Sequence, residues 1–211
     1  MPTPWPDYVK TTKRLTIFPT SSVTSGPWGK VFSKAIAEFN TLSANNSLGV
    51  TFALGSSAPD PSGVGGADVQ FSTINGAVQF TCLDHQFSYT LAGTALQGHT
   101  SVVKSGFDAS SMKVAKAFIC VPATPTNSLR RIMGDPAKLV LAAHELIHAC
   151  GLDDTDHTSF AAADLFFYPL QDNPGSTPSG DTLTPFGKST PAMPPLVLSS
   201  DTIKLIQTNW K

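Results

Sequence analysis

Apolar and polar positions alternate along Lys13-Arg14-Leu15-Thr16-Ile17-Phe18 and stop at Pro19, which predicts a first strand. After Ser25-Gly26-Pro27 the period changes. Val31, Ala35, Phe39 and Leu42 recur at helical spacing, so an amphipathic helix is expected there. Short strands are expected at Gly49-Val50-Thr51-Phe52-Ala53 and Ala67-Asp68-Val69-Gln70-Phe71, separated by a loop around Pro59-Asp60-Pro61-Ser62-Gly63. Residues 93–100 and 114–121 read as further extended segments, and the Pro/Thr/Asn-bearing stretch 122–134 reads as a loop. Asp135-Pro136 then marks a helix start, with Asp as the N-cap and Pro in the first turn, where its missing N–H costs nothing. That helix is expected to stop at Gly151. Residues 172–195 are rich in Pro, Gly, Ser and Thr and predict an irregular loop, and Leu198-Ser199 opens a last helix carrying Ile203, Leu205, Ile206 and Trp210.

The penultimate long helix carries the chemistry. It reads His144-Glu145-Leu146-Ile147-His148-Ala149-Cys150-Gly151-Leu152-Asp153-Asp154. Histidines four apart share one helix face, so their ring nitrogens can converge on one metal ion. Glu145, one residue after the first histidine, can reach a water held by that metal. Gly151 can take a left-handed conformation that ends the helix and turns the chain back toward the metal. By register the third ligand is Asp154, a carboxylate of a type zinc accepts. A slightly longer turn after Gly151 brings His157 in instead, with Asp154 then orienting a ligand from behind. Glu145 and Glu38 are the only glutamates, so no downstream glutamate can serve as a third ligand, and Glu145 is left as the base.

This pattern resembles the metzincin zinc endopeptidases, whose signature is His-Glu-x-x-His-x-x-Gly-x-x-His/Asp, with the matrixin and snapalysin branches most similar. The resemblance implies an α+β domain whose N-terminal part is of α/β type. In such a domain a twisted, mostly parallel sheet has one antiparallel edge strand and two long helices. A small irregular C-terminal subdomain ends in a helix. It implies one catalytic domain over 1–211, divided into subdomains of about 10–151 and 152–211. It also implies that Ala95, Leu96 and Gln97 lie on the edge strand that pairs with an extended peptide, and that Met193 forms the Met-turn beneath the metal. The tyrosine that some members place two residues after that methionine is replaced by Pro195, which leaves Tyr168 as the downstream phenol. The implied activity is hydrolysis of protein peptide bonds by a Zn2+-activated water with Glu145 as general base. Two alternatives are a non-catalytic protein stabilised by zinc and a zinc amidase acting on cell-wall peptides.

Composition narrows the partners. A net charge of −1 with 14% charged residues and no basic patch argues against nucleic acid and anionic membranes. No apolar run is long enough for a membrane span, and a monomer is expected. The first residues lack a charged region followed by an apolar core, so no signal peptide is legible, which fits a cytoplasmic protein, a non-standard export route or a mature secreted form. Cys82, Cys120 and Cys150 cannot all pair within one chain; Cys150 lies about 200° round the helix from His148, facing the interior rather than the metal. The odd count favours a reducing compartment. His85 and His99 have no ligand spacing and read as ordinary strand or surface histidines.

Overall fold

The computed structural model describes residues 2–95, 97–108, 110–126, 134–160, 163–165 and 196–211, with only the backbone described at 136–137, 158–160 and 163–165. After a short helix α1 (Asp7–Thr12), strand β1 (Arg14–Pro19) buries Leu15 and Ile17. A single-turn helix α2 (Ser21–Thr24) leads into α3 (Gly29–Asn46), which buries Val31, Ala35, Phe39 and Leu42, the stripe that helical spacing predicts. Trp28 fixes its start by donating its indole N–H to the Pro122 carbonyl at 2.9 Å. Strands β2 (Thr51–Leu54), β3 (Val69–Ile74), β6 (His99–Ser105) and β7 (Lys113–Pro122) complete a five-stranded sheet in the order β2-β1-β3-β7-β6. All neighbours are parallel except β6, which runs antiparallel to β7 at the edge.

Strand alternation divides the sheet into two faces. Ala117, Ile119 and Val121 of β7 join Val69 and Phe71 of β3 in the main core, against α3 and the helix α4 (Asp135–Ala149). On the other face, Phe118, Cys120 and Val103 pack against a hairpin that the sequence pattern does not predict, β4 (Gly76–Cys82) and β5 (His85–Leu91). Phe80 stacks on Phe118 at 4.2 Å and on Phe87 at 5.1 Å. The connecting residues Leu83 and Asp84 both have positive φ, 52° and 60°, the conformation of a type I′ turn. Leu-Asp lacks the glycine that usually marks such a turn, so the signal is silent.

The edge strand corrects an expectation. It begins at His99, so only the last two residues of the 93–100 segment belong to it. Ala95 and Gln97 lie in the connection before it, and Leu96 is outside the described residues. The physical reason is a knot of turn bonds: Ala95 donates to Ala92, and the N–H groups of Thr124 and Thr126 take the carbonyls of Gly93 and Thr94. β-Branched Thr100, Val102 and Val103 carry the pairing instead.

Helix α4 starts one residue earlier than its capping signal predicts, with Gly134 as the N-cap and Asp135 in the first turn. Gly151 follows its end at φ 100°. Here the termini converge. Trp5 Nε1 donates to the Ala149 carbonyl at 2.9 Å. Asn209 and Trp210, at the end of helix α5 (Ser200–Asn209), both donate to the Cys150 carbonyl at 3.0 Å. The Thr3 N–H takes the Gly151 carbonyl at 2.7 Å. A Cβ on Gly151 would run into the Thr3 carbonyl oxygen and come within 2.7 Å of Asn209 Nδ2, in addition to the strain of a positive φ. Gly151→Ala should therefore lower unfolding free energy by at least about 2 kcal/mol, read from urea midpoints. A wild-type midpoint would show that the close approach relaxes freely.

Candidate metal centre

Apolar residues bury most of α4: Leu139, Ala142, Ala143, Leu146 and Ile147 enter the core. The 3.6-residue period leaves His144 and His148 above one another on the remaining stripe. His148 and Glu145 are buried and His144 is half-buried. The site lies at the carboxyl ends of the parallel strands, because His99 at the start of β6 pairs with Cys120 near the end of β7.

Beyond Gly151 the chain does not run straight to a ligand. Asp153 caps a 3-10 turn (Asp154–Asp156), accepting from the Thr155 N–H at 2.9 Å while Asp156 Oδ2 accepts from the Asp153 N–H at 3.0 Å. This reciprocal capping box adds one tight turn and delivers His157, rather than Asp154, to the histidine pair. Of the two candidates that the sequence leaves open, His157 is the one grouped with His144 and His148, after a turn that the register favouring Asp154 does not include. Asp154 sits at the rim, with Oδ1 3.6 Å from His148 Nε2 and a side chain 90% exposed.

The three imidazoles are disposed almost symmetrically, with ring centroids 4.8, 4.9 and 5.0 Å apart. His148 Nε2 lies 3.1 Å from His144 Nε2 and 3.2 Å from His157 Nε2. Nitrogens bound tetrahedrally to zinc at about 2.0–2.1 Å stand about 3.3 Å from one another, close to both separations made by His148, and all three ligand atoms lie within 4.8 Å of one another. His148 is also oriented from behind: its Nδ1–H donates to the Leu152 carbonyl at 3.0 Å, which places the bare lone pair on Nε2. Burial, reinforced by His148 and His157, pushes the His144 pKa down to about 3, and burial also lowers that of His148. Neutral imidazoles are the form that ligates metal.

Glu145 is held against the edge strand. Thr100 Oγ1 donates to its Oε2 at 2.7 Å, and a Cβ on Gly98 would come within 2.6 Å of its Oε1. Burial raises the carboxyl pKa to about 7, against the opposing effect of the Thr100 hydrogen bond. His99, unremarkable in the sequence, stands between Gly98 and Thr100 but turns to the opposite face of the edge strand. Its ring stacks on Tyr89 at 3.8 Å, and burial lowers its pKa while the Asp154 carboxylate raises it. Spacing within one element could not reveal it, because its stacking partner lies on the hairpin. The cysteines are all buried and free, and Cys150 faces the interior as its helical position predicts. Met193, Tyr168 and Pro195 lie outside the described residues. No helix among the described residues is long and apolar enough to cross a membrane.

No protein-family model and no curated protein matches the chain.

The raised Glu145 value makes a pH statement for the metal-free protein. The folded state keeps a proton on Glu145 up to about pH 7, whereas the unfolded carboxyl releases it near the ordinary 4.5. Stability contributed by this group is present at low pH and lost as pH rises through that window, by up to about 1.4 kcal/mol per pH unit. Glu145→Gln cannot ionise, so its stability advantage over wild type should widen from about pH 4.5 to 7 and then level off. Histidine titrations are common to both proteins and cancel. Urea midpoints of both metal-free proteins across pH 4–8 test this; a constant difference contradicts it.

Proposed function

We propose that the chain is a zinc-dependent endopeptidase of metzincin type, with His144, His148 and His157 as its metal ligands and Glu145 as its general base. The observation that carries this reading is the gathering of three histidine ligand atoms within 4.8 Å of one another, with His148 Nε2 3.1 Å from His144 Nε2 and 3.2 Å from His157 Nε2, beside a buried carboxylic acid. The sheet with its antiparallel edge and the closing helix α5 support the same reading. A zinc ion there would polarise a substrate carbonyl and lower the pKa of a water toward neutrality. Glu145 then accepts the water's proton and returns it to the leaving nitrogen, a role suited to a carboxyl whose pKa lies near the working pH. Thr100 and Gly98 hold that carboxyl in place. An extended peptide would add to the edge of β6 that no described strand covers, starting near His99 rather than across Ala95, Leu96 and Gln97. Met193 is proposed as the apolar floor of the site, and the whole of 1–211 as one catalytic domain with subdomains of about 10–151 and 152–211.

One observation favours a second reading. With Oδ1 3.6 Å from His148 Nε2, Asp154 is close enough to swing in as a fourth protein ligand and close the coordination sphere, as in a structural zinc site. A structural site needs no base, and a glutamate buried beside the histidines argues for the open, hydrolytic form.

Zinc content after identical mild chelation, measured together with peptide hydrolysis, separates these readings. His157→Ala should emerge empty and Asp154→Ala loaded and active. Glu145→Ala should retain zinc while turnover falls by about 10²–10⁴-fold. An empty Asp154→Ala protein would restore the aspartate as ligand, and substantial turnover by zinc-loaded Glu145→Ala would remove it from the base role.

A further inference from the structure

Glu145 reaches from helix α4 to the start of the edge strand, where two residues meet different atoms of its carboxyl. Thr100 Oγ1 donates to Oε2 at 2.7 Å, and the same hydroxyl lies 3.3 Å from the Glu145 backbone carbonyl oxygen. Gly98 faces the other oxygen. A Cβ there would stand 2.6 Å from Oε1, 2.8 Å from Cδ and 2.9 Å from Cγ, so the three atoms nearest to it all belong to Glu145. The carboxyl is thus pulled by one residue and rests against the bare backbone of the other.

Strand formation requires neither residue. Valine has almost the shape of threonine and would serve β6 as well without a hydroxyl. Gly98 lies outside the left-handed region, so its backbone does not call for glycine either. What the two positions share is the carboxyl. Glu145 is buried, so these protein contacts rather than solvent decide how its oxygens are turned. A carboxylate acting as base takes the proton on one oxygen. With Oε2 occupied by the Thr100 hydroxyl, Oε1 is the oxygen left for it.

We propose that Thr100 and Gly98 are positioning residues of the general base: Thr100 ties down Oε2, and Gly98 leaves the space in which Oε1 meets the reacting water. This rests on the hydrolytic reading above. Oε1 accepts one proton of the water while the water's oxygen bonds to the peptide carbonyl carbon. The C–N bond then breaks, and the same proton passes from Oε1 to the leaving nitrogen. Oε2 keeps its hydrogen bond to Thr100 throughout. A peptide added to β6 and the carboxyl that acts on it are thereby held by the same stretch of backbone.

Three substitutions in the full chain test this. Thr100→Val removes the hydroxyl and keeps the shape, whereas Thr100→Ser keeps the hydroxyl. Gly98→Ala places a Cβ 2.6 Å from Oε1, where ordinary contact begins at 3.4 Å. The oxygen must then retreat by about 0.8 Å, a displacement of the size that costs on the order of 10²-fold in rate. With zinc-loaded protein and an internally quenched peptide, Thr100→Val and Gly98→Ala should each lose about 10–10²-fold in kcat. Their KM and zinc content should stay close to wild type, and Thr100→Ser should retain most of kcat.

A readout without turnover is open because Glu38 and Glu145 are the only glutamates. Metal-free chain labelled with carbon-13 at the glutamate side-chain carboxyl gives one line for each, and Glu145→Gln identifies which is which. At one fixed pH the Glu145 line should shift in Thr100→Val and Gly98→Ala and stay near its wild-type position in Thr100→Ser. The Glu38 line should not move in any of them. Wild-type kcat in Thr100→Val or Gly98→Ala would overturn the proposal, as would an unshifted Glu145 line in either or a Thr100→Ser protein as slow as Thr100→Val. Loss of zinc in place of a kcat effect also overturns it, because that assigns these residues to the site as a whole. If Thr100→Val does not fold, Gly98→Ala and Thr100→Ser decide by the same criteria. An active wild type with a silent Glu145→Ala and fully active positioning variants sinks this inference alone. A zinc-loaded wild-type chain that cleaves no peptide overturns the hydrolytic reading and this inference together.

Discussion

Four successive backbone carbonyls, those of Ala149, Cys150, Gly151 and Leu152, end the histidine-bearing helix, and all four are claimed by donors, from three parts of the chain. Trp5 and Thr3 come from the N-terminus, Asn209 and Trp210 from the C-terminus, and His148 from the helix itself. A buried carbonyl left without a partner costs about 1–3 kcal/mol, so this turn is specified from all three directions. The last donor couples fold to chemistry, because the bond to Leu152 also sets the tautomer of His148. Chain termini, helix end and ligand orientation are therefore one connected constraint, and Gly151 is the residue that lets the backbones approach closely enough to satisfy it.

Gathering three imidazoles and a glutamic acid in this place works against the stability of the metal-free protein. Burial disfavours the charged forms of His144, His148 and Glu145, so the folded chain holds them neutral where an unfolded chain would let them ionise. Such an arrangement is common where function rather than stability dictates the side chains. A divalent cation held there would offset the cost by bonding the three lone pairs, and its binding free energy would add to folding. Thr100 and Gly98 act on the same balance from the sheet side, since they fix the carboxyl without neutralising it.

Much of this was legible in the chain. Helical spacing gave the buried stripe of α3, alternation located β1, β3 and β7, and the His-Glu-x-x-His pentad with its glycine located the chemistry, because each signal is local and repeats along one element. What escaped depends on chemistry without a repeat. The β4–β5 hairpin turns on Leu83-Asp84, where tertiary packing of Phe80, Phe87 and Phe118 rather than a turn glycine holds the left-handed pair. The choice between Asp154 and His157, which the sequence left open, turns on a single 3-10 turn. Its signal, Asp153 followed three residues later by Asp156, was present as a capping box but is easily read as two loop acids. His99 found its stacking partner only when the hairpin brought Tyr89 beneath it. Met193 and Tyr168 belong to the stretch outside the described residues, and their roles stand on resemblance alone.

X-ray absorption at the zinc edge of the loaded protein tests the three-histidine centre most directly, since multiple scattering from imidazole rings counts them. The expected first shell holds three imidazole nitrogens and one further light atom at about 2.0–2.1 Å, with that last position replaced when a small anion such as azide is added. Two imidazoles with a carboxylate oxygen, or four protein ligands that azide leaves unchanged, would contradict an open centre built from His144, His148 and His157.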